Sequence, residues 1–132
     1  MIVLDTHIWV WWVHGDPALG GAKQNILSGY ESDGFGVSVI SCWEVAKLVE
    51  KKRLILPCAT EQWLNQALAY PGMRLIPLTP EIALESTRLP LPFHDDPADQ
   101  MIVATARLLG YSLATDDRKI LAYSHVQLVW RS

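Results

Sequence analysis

The stretch Ile2-Val3-Leu4-Asp5-Thr6-His7-Ile8-Trp9 decides the fold class of this chain. Its first three residues form a short apolar run, which is typical of a strand buried on both faces. The residues that follow, 6–13, predict a helix that ends near His14-Gly15. A buried strand that passes directly into a helix is the beginning of a βαβ unit. The N-terminus therefore predicts an α/β protein with a mostly parallel central sheet.

The same alternation of strand and helix continues to the end of the chain. Further strands are predicted at residues 35–40, 74–76, 112–114 and 126–129. Further helices are predicted at residues 16–28, 41–52, 60–70, 79–89, 96–109 and 117–122. Ser41 and Glu44 fit a capping box, Thr60 fits an N-cap, and Gly110 fits the position after a helix end. No repeat or linker divides the chain, so we expect a single domain over residues 1–132.

Composition limits the classes of protein that the chain can represent. Half of the residues are hydrophobic and 19% are charged, which is ordinary for a soluble globular domain. The formal charge of −3 argues against a protein whose whole surface binds nucleic acid, although it allows a local basic patch. Two cysteines without metal-ligand spacing favour a reducing compartment. The longest apolar stretch, residues 8–13, is too short to span a bilayer, so we expect a cytoplasmic protein.

Five acidic residues share one local position, at or just after the point where an apolar run passes into a predicted helix. These residues are Asp5, Glu44, Asp96, Asp99 and Asp117. In an open parallel sheet the carboxyl ends of the strands form the ligand crevice, so these side chains are expected to converge. Carboxylates that converge repel each other unless a cation lies among them, and oxygen ligands suit Mg²⁺ or Mn²⁺. The pattern predicts a divalent-metal site and phosphodiester chemistry.

Each acid also has a purely structural interpretation. Glu44 could complete the capping box, Asp96 is an ordinary N-cap, and Asp99 is favoured by the helix dipole. Either Asp116 or Asp117 could cap the last helix. Capping explains the acids one at a time, but it does not explain why nearly every strand that precedes a helix has one at its exit.

Four segments of the chain resemble the PIN domain, and within it the VapC-like toxins of type II toxin–antitoxin systems. The segments are residues 4–9, 41–46, 94–106 and 113–117, which carry Leu-Asp-Thr-His-Ile-Trp, Ser-Cys-Trp-Glu-Val-Ala, His-Asp-Asp-Pro-Ala-Asp-Gln and Leu-Ala-Thr-Asp-Asp in family order. The resemblance implies a three-layer α/β/α fold. It also implies a Mg²⁺- or Mn²⁺-dependent endoribonuclease that hydrolyses RNA phosphodiester bonds and has a cognate antitoxin.

The resemblance assigns roles to individual residues. By motif, the metal-binding and catalytic acids fall on Asp5, Glu44, Asp99 and Asp117. Asp96 corresponds to a helix cap that positions the ligands, and Asp116 is a rival for the fourth acid. Thr115 is placed to orient a metal-bound water or a phosphate, although a Thr at a strand end is equally well explained by β propensity. One departure is Gln100, where many relatives carry Arg.

RNA contacts and assembly give weaker signals. Arg118 and Lys119 lie beside Asp117, and Lys47 begins a basic run that ends at Arg53. The same run is also explained as a solvated helix end. Apolar stripes on the first helix and on the helix over residues 60–70 favour a homodimer or an antitoxin contact near the first helix, unless both stripes face the chain's own core.

Other functions fit the residues less well. A receiver-like phosphoacceptor needs an acidic pair at the first strand end, but Asp5 is followed by Thr6-His7. It also needs a Lys after the last strands, and residues 126–130 contain none. A haloacid-dehalogenase-like phosphatase needs a second Asp where this chain has His7. A catalytically silent PIN binding module has no need for four intact acids.

Overall fold

A computed structural model describes residues 1–131, and its centre is a parallel sheet of four strands. The strands are β1 (Ile2–Leu4), β2 (Phe35–Ser38), β3 (Met73–Ile76) and β4 (Leu113–Ala114). Their order is β3-β2-β1-β4, and every pairing between neighbours is parallel. The carboxyl ends of β1 and β4, at the centre and edge of the sheet, therefore lie side by side.

Within the described residues 1–131, seven helices connect and cover the strands. They are α1 (Thr6–His14), α2 (Gly21–Ser28), α3 (Val39–Glu50), α4 (Thr60–Leu68), α5 (Pro80–Ser86), α6 (Pro97–Leu109) and α7 (Arg118–Leu121). Short 3₁₀ turns occupy Pro17–Leu19 and Glu31–Asp33. Within residues 1–131, none of these helices is both long and apolar enough to cross a membrane.

The hydrophobic core lies on both faces of the sheet, which confirms the predicted three-layer α/β/α architecture. Ile2 and Leu4 of β1 belong to one buried cluster together with residues of α1 and α4. Val3, between them, belongs to a second cluster with residues of α5 and α6. Successive strand residues point to opposite faces, so a strand of three buried apolar residues must be covered on both sides. The apolar run before Asp5 therefore fixes the layer structure.

The predicted boundary between β2 and α3 is wrong. The strand ends at Ser38, and Val39 and Ile40, which were predicted to extend it, form the first turn of α3. The N-cap is Ser38, whose side chain accepts a hydrogen bond from the Ile40 N–H at 3.2 Å. Ser41 therefore lies inside the helix, and the predicted capping box with Glu44 does not form. The β-branched Val39 and Ile40 favour a strand locally. The helix nevertheless begins after Ser38, three residues before the predicted cap Ser41.

Other boundaries also differ from the prediction. The helix predicted over residues 16–28 is interrupted at Gly20, which has a φ of 88°. Thr60 is not an N-cap, because it is already helical and Ala59 precedes it without a side-chain hydrogen bond. α4 ends at Leu68 rather than residue 70, and α5 at Ser86 rather than residue 89. The strand predicted over residues 126–129 is reduced to one bridge between Leu113 and Leu128.

Candidate active site

A cavity of about 350 Å³ lies beyond the carboxyl ends of β1 and β4. Its walls come from the start of α1, the second turn of α3, the start of α6 and the loop after β4. The lining side chains are those of Asp5, His7, Trp11, Glu44, Asp96, Asp99, Asp116 and Asp117. The structure therefore brings all four predicted metal acids to one cavity. Six of its eight lining residues are acidic, and none is Lys or Arg.

Asp5 forms the floor of this cavity and is only 7% exposed. Its Oδ1 accepts a hydrogen bond from the Thr6 N–H at 2.8 Å, which caps α1. Its Oδ2 accepts from the Thr115 hydroxyl at 2.7 Å. Burial raises the pKa of Asp5, while the bonds from Thr115 and Thr6 oppose that rise. Both oxygens are thus oriented by neighbouring groups, as a ligand at a fixed position requires.

Thr115 links Asp5 to the acid after β4. Its fully buried hydroxyl oxygen also accepts a hydrogen bond from the Asp117 N–H at 3.0 Å. The Oδ1 of Asp117 in turn accepts from the N–H groups of Lys119 and Ile120, so this residue is the N-cap of α7. Asp117 is therefore both a helix cap and part of the cavity wall, and the two interpretations of this acid do not exclude each other.

Asp116 also lines the cavity but is held by a different partner. Its Oδ1 lies 2.5 Å from the Nζ of Lys23, a residue of α2. The same Nζ lies 5.5 Å from the centre of the Trp130 ring. Lys23 did not stand out in the sequence because 93 residues separate it from its partner. It places a cation beside the rim of the acidic cavity.

Glu44 enters the cavity from the second turn of α3. Its Oε1 lies 2.6 Å from the hydroxyl of Thr6, which also lies 2.8 Å from the Ser41 hydroxyl. An ionised carboxylate can only accept, so Thr6 donates to Glu44 and its oxygen can accept from Ser41. Burial raises the pKa of Glu44 to about 7, with further increases from Asp5 and Asp99. The hydrogen bond from Thr6 opposes that rise.

Asp99 is paired with a histidine of the connector that precedes α6. Its Oδ2 lies 2.7 Å from the Nε2 of His94, while its N–H donates to Asp96 Oδ1 at 3.0 Å. The second bond confirms Asp96 as the cap of α6. Burial raises the pKa of Asp99 to about 6, although the bond to His94 opposes that rise. Gln100, the departure from the family pattern, donates through Nε2 to the His94 carbonyl at 3.1 Å and so fixes the connector against the helix.

The acids share a cavity, but they are not arranged as a finished metal site. Within residues 1–131 no group of three or more His, Cys, Asp or Glu side chains could hold a metal ion as placed. Mutual repulsion between ionised carboxylates favours this separation. Metal binding would require these side chains to move inward.

The predicted RNA contacts do not line the acidic cavity. Lys47 pairs with Glu50 at 3.0 Å and faces a neighbouring cavity. Lys119 lines a different cavity beside His94, and Arg118 is exposed at the start of α7. At the rim of the acidic cavity we find His7 and Trp11 instead. Neither His7 nor Trp11 was a predicted site residue.

The two apolar stripes that favoured a homodimer pack largely against each other. Trp9 of α1 and Trp63 of α4 are almost completely buried, with ring centres 5.0 Å apart in an edge-to-face arrangement. Leu64 and Leu68 also pack on this core. The stripes face the chain's own interior, so they do not by themselves require a second copy.

The sequence matches one family model and one characterised relative. The family model for the PIN domain matches residues 2–126. Ribonuclease VapC22 of Mycobacterium tuberculosis is 33% identical over 124 residues, which cover 94% of this chain and 92% of the relative.

Solved structures share the fold at lower sequence identity. A toxin–antitoxin complex from Klebsiella pneumoniae aligns with a TM-score of 0.62 and 19% identity over the whole of both chains. VapBC2 from Rickettsia felis, solved with a DNA fragment of its promoter, aligns with a TM-score of 0.64 and 18% identity over 97% of both chains. FitAcB from Neisseria gonorrhoeae aligns with a TM-score of 0.60 and 20% identity over 97% of this chain and 96% of the other chain.

Proposed function

The chain belongs to the PIN domain family, and on that premise we propose that it is a divalent-metal-dependent endoribonuclease, the toxin of a toxin–antitoxin pair. One observation carries the proposal: Asp5, Glu44, Asp99 and Asp117 come from four separate parts of the chain and line one cavity. A fold has no structural need to gather four carboxylates without a Lys or Arg among them, because their repulsion destabilises it. A catalytic site for a phosphodiester has that need.

The donor set fits Mg²⁺ or Mn²⁺. All four candidate ligands are carboxylate oxygens, which are the ligands that hard divalent cations prefer. Burial, with smaller contributions from neighbouring carboxylates, raises the pKa of Glu44 and Asp99, so a bound cation would stabilise their ionised forms. When bound, such a cation polarises a phosphoryl oxygen and lowers the pKa of a coordinated water.

The residues of the chain have separate tasks in the proposed reaction. Asp5 and Asp117 are held by Thr115, so one hydroxyl sets the relative position of two of the candidate ligands. Thr6 orients Glu44, and His94 orients Asp99. Partners of this kind fix the direction of each carboxylate and limit its freedom to turn away from a ligand. Asp96 supports the site indirectly, because it caps the helix that presents Asp99.

The relatives, rather than the cavity, support the proposed substrate and partners. The 33% identical relative is named a ribonuclease, which supports RNA as the substrate of this chain. The sequence resemblance to the VapC-like toxins supports a cognate antitoxin that covers the acidic cavity, and action on RNA in the cytoplasm. A homodimer remains part of the proposal, although its interface must use surfaces other than the α1 and α4 stripes.

A metal-dependent cleavage assay tests the proposed function. We expect the purified chain to cut one or more RNAs from a panel of structured and unstructured molecules when Mg²⁺ or Mn²⁺ is present, and none in EDTA. Glu44→Gln should abolish the cleavage, whereas Glu50→Gln on the exposed face of the same helix should not. Metal-independent cleavage, or an active Glu44→Gln variant, contradicts the proposal. Phosphate uptake from a small donor without RNA cleavage would favour the phosphoacceptor alternative.

A further inference from the structure

A second cavity, of about 250 Å³, adjoins the acidic one and has the opposite charge. The two cavities share Glu44 and Asp96 in their walls. The remaining lining residues of the second cavity are Trp43, Lys47, Leu48, Lys51, Arg53, Pro97 and Ala98. We call this second space the basic cavity, because it brings three cations together beside a site of six carboxylates.

The basic cavity continues the helix face that carries Glu44. Lys47, Leu48 and Lys51 follow Glu44 at intervals of three, four and seven residues, so they lie on the same side of α3. At 1.5 Å per residue, Lys51 lies roughly 10 Å beyond Glu44 along the helix axis. A chain of phosphates that leaves the acidic cavity along α3 therefore passes over these cations.

The turn after α3 returns Arg53 to the same cavity. Lys52 has a φ of 59°, and the Arg53 N–H bonds to the Leu48 carbonyl at 2.8 Å. This is a helix-terminating motif in which glycine is the usual residue, because a side chain at positive φ is strained. Lys52 itself lines a different cavity beside Ile55. Three successive basic residues, 51–53, are thus divided, with the first and third on the basic cavity.

The cations and the aromatic ring of the basic cavity are available to a ligand. Lys51 and Arg53 form no salt bridge with any residue in the described range 1–131. Lys47 has only an exposed pairing with Glu50. The Trp43 side chain is 53% exposed, which is unusual for so large an apolar residue. Exposed aromatic rings among cations are the elements with which proteins bind single-stranded nucleic acid.

We propose that the basic cavity binds an unpaired nucleotide of single-stranded RNA, next to the phosphodiester that enters the acidic cavity. Its base stacks on Trp43, and its flanking phosphates contact Lys51 and Arg53. Stacking on a side chain requires a base that is not already stacked in a helix, so the cavity selects single-stranded over duplex RNA. This assignment rests on the proposed ribonuclease function and adds the residues that hold a nucleotide beside the scissile bond.

Binding measurements without divalent metal test the assignment separately from cleavage. The probes are a labelled, unstructured oligoribonucleotide and its blunt duplex. Fluorescence anisotropy measures the affinity of the full chain for each probe. Trp43→Ala should weaken single-strand binding about ten-fold, and Trp43→Phe should restore most of it. The double variant Lys51→Ala, Arg53→Ala should reduce the slope of log affinity against log salt by about 1.4, the value for two phosphates.

Two variants serve as matched controls. Lys52→Gly removes a positive charge that lies between Lys51 and Arg53 in sequence but lines a third cavity, beside Ile55. It should therefore leave the affinity for RNA unchanged. Tyr70→Ala removes another exposed aromatic ring, two residues beyond the end of α4 and outside both cavities, and should also have no effect.

Each outcome of these measurements decides one of the two proposals. Unchanged single-strand binding by Trp43→Ala overturns the nucleotide assignment alone and leaves the exposed ring to a protein partner. Equal losses for Lys52→Gly and for the double variant overturn it as well. If Trp43→Ala weakens binding but the wild-type chain never cleaves RNA, the result supports the nucleotide assignment and contradicts the proposed ribonuclease function. A wild-type chain that binds no RNA contradicts both.

Discussion

Asp5 combines two roles that make opposite demands on a carboxylate. As the N-cap of α1 it stabilises the fold, because it accepts from the first N–H of that helix. As a buried acid at the floor of an acidic cavity it destabilises the metal-free protein. An Asn can perform the first role but cannot supply the negative charge that the second requires. The two roles can therefore be separated by one substitution.

We expect Asp5→Asn to abolish RNA cleavage while it preserves the fold. The loss of kcat/KM should exceed the roughly 10- to 100-fold loss that follows removal of a group that only supports a metal ligand. The melting temperature of the metal-free protein should rise, because a neutral amide is less costly to bury than a carboxylate. Asp16→Asn, which changes another capping Asp, is the matched control. Cleavage at the wild-type rate by purified Asp5→Asn would exclude Asp5 from the metal site.

Thr115→Val tests whether one hydroxyl positions two acids. The change keeps the shape of the side chain but leaves Asp5 Oδ2 and the Asp117 N–H without their shared partner. We expect a loss of about 1–3 kcal/mol in the free energy of unfolding, measured by urea denaturation. We also expect a roughly 10- to 100-fold loss of cleavage. Thr115→Ser should recover both quantities, and a Val variant with wild-type activity would show that Thr115 serves only the strand end.

The helices that carry the site could be predicted unevenly from the sequence. α6 was predicted to within one residue, because Asp96, Pro97 and Gly110 are strong local signals at its two ends. The start of α3 was misplaced, because Val39 and Ile40 favour a strand and the true cap, Ser38, sits in the last position of β2. Glu44 nevertheless lines the cavity together with the other predicted acids. Its position depends on a contact with Thr6, 38 residues away, and no local pattern encodes that contact.

The strained end of α3 gives a prediction about stability at the scale of one element. Lys52→Gly should raise the free energy of unfolding by roughly 0.5–1 kcal/mol, because glycine adopts positive φ without strain. The greater freedom of glycine in the unfolded chain offsets part of this gain. Lys51→Gly is the control, since it removes the same charge at a residue with a φ of −83° and should destabilise the protein. Urea denaturation measures both. A destabilised Lys52→Gly variant would show that this side chain contributes packing that outweighs the strain.

At the scale of the whole molecule, the acidic cavity joins segments that are far apart in sequence. Asp5, Glu44 and Asp117 meet because β1 is central in the sheet, with β2, which leads into α3, on one side and β4 on the other. The strand pattern made this convergence predictable, since parallel strands present their carboxyl ends at one edge. The pairing of His94 with Asp99 was not predictable, because it depends on the path of the connector before α6. The contact of Lys23 was not predictable because 93 residues separate it from Asp116, and the division of the basic run between two cavities depends on the positive φ of Lys52.

The free energy of unfolding of the metal-free protein should fall as the pH rises from about 4.5 to about 7. Glu44 has a pKa of about 7 in the folded chain against an ordinary value of 4.5, and Asp99 has about 6 against 3.8. Over these intervals the folded protein binds more protons than the unfolded one, so deprotonation favours unfolding. Thermal unfolding in EDTA across this range measures the effect.

The double variant Glu44→Gln, Asp99→Asn provides the reference for that experiment. It cannot lose the two protons, so its stability should depend less on pH than that of the wild type over the same range. Added Mg²⁺ should raise the melting temperature of the wild type more at the upper end of the range, because the cation binds the ionised carboxylates. It should have a much smaller effect on the double variant. Parallel pH profiles for the two proteins would mean that burial of these acids does not govern the stability of the metal-free protein.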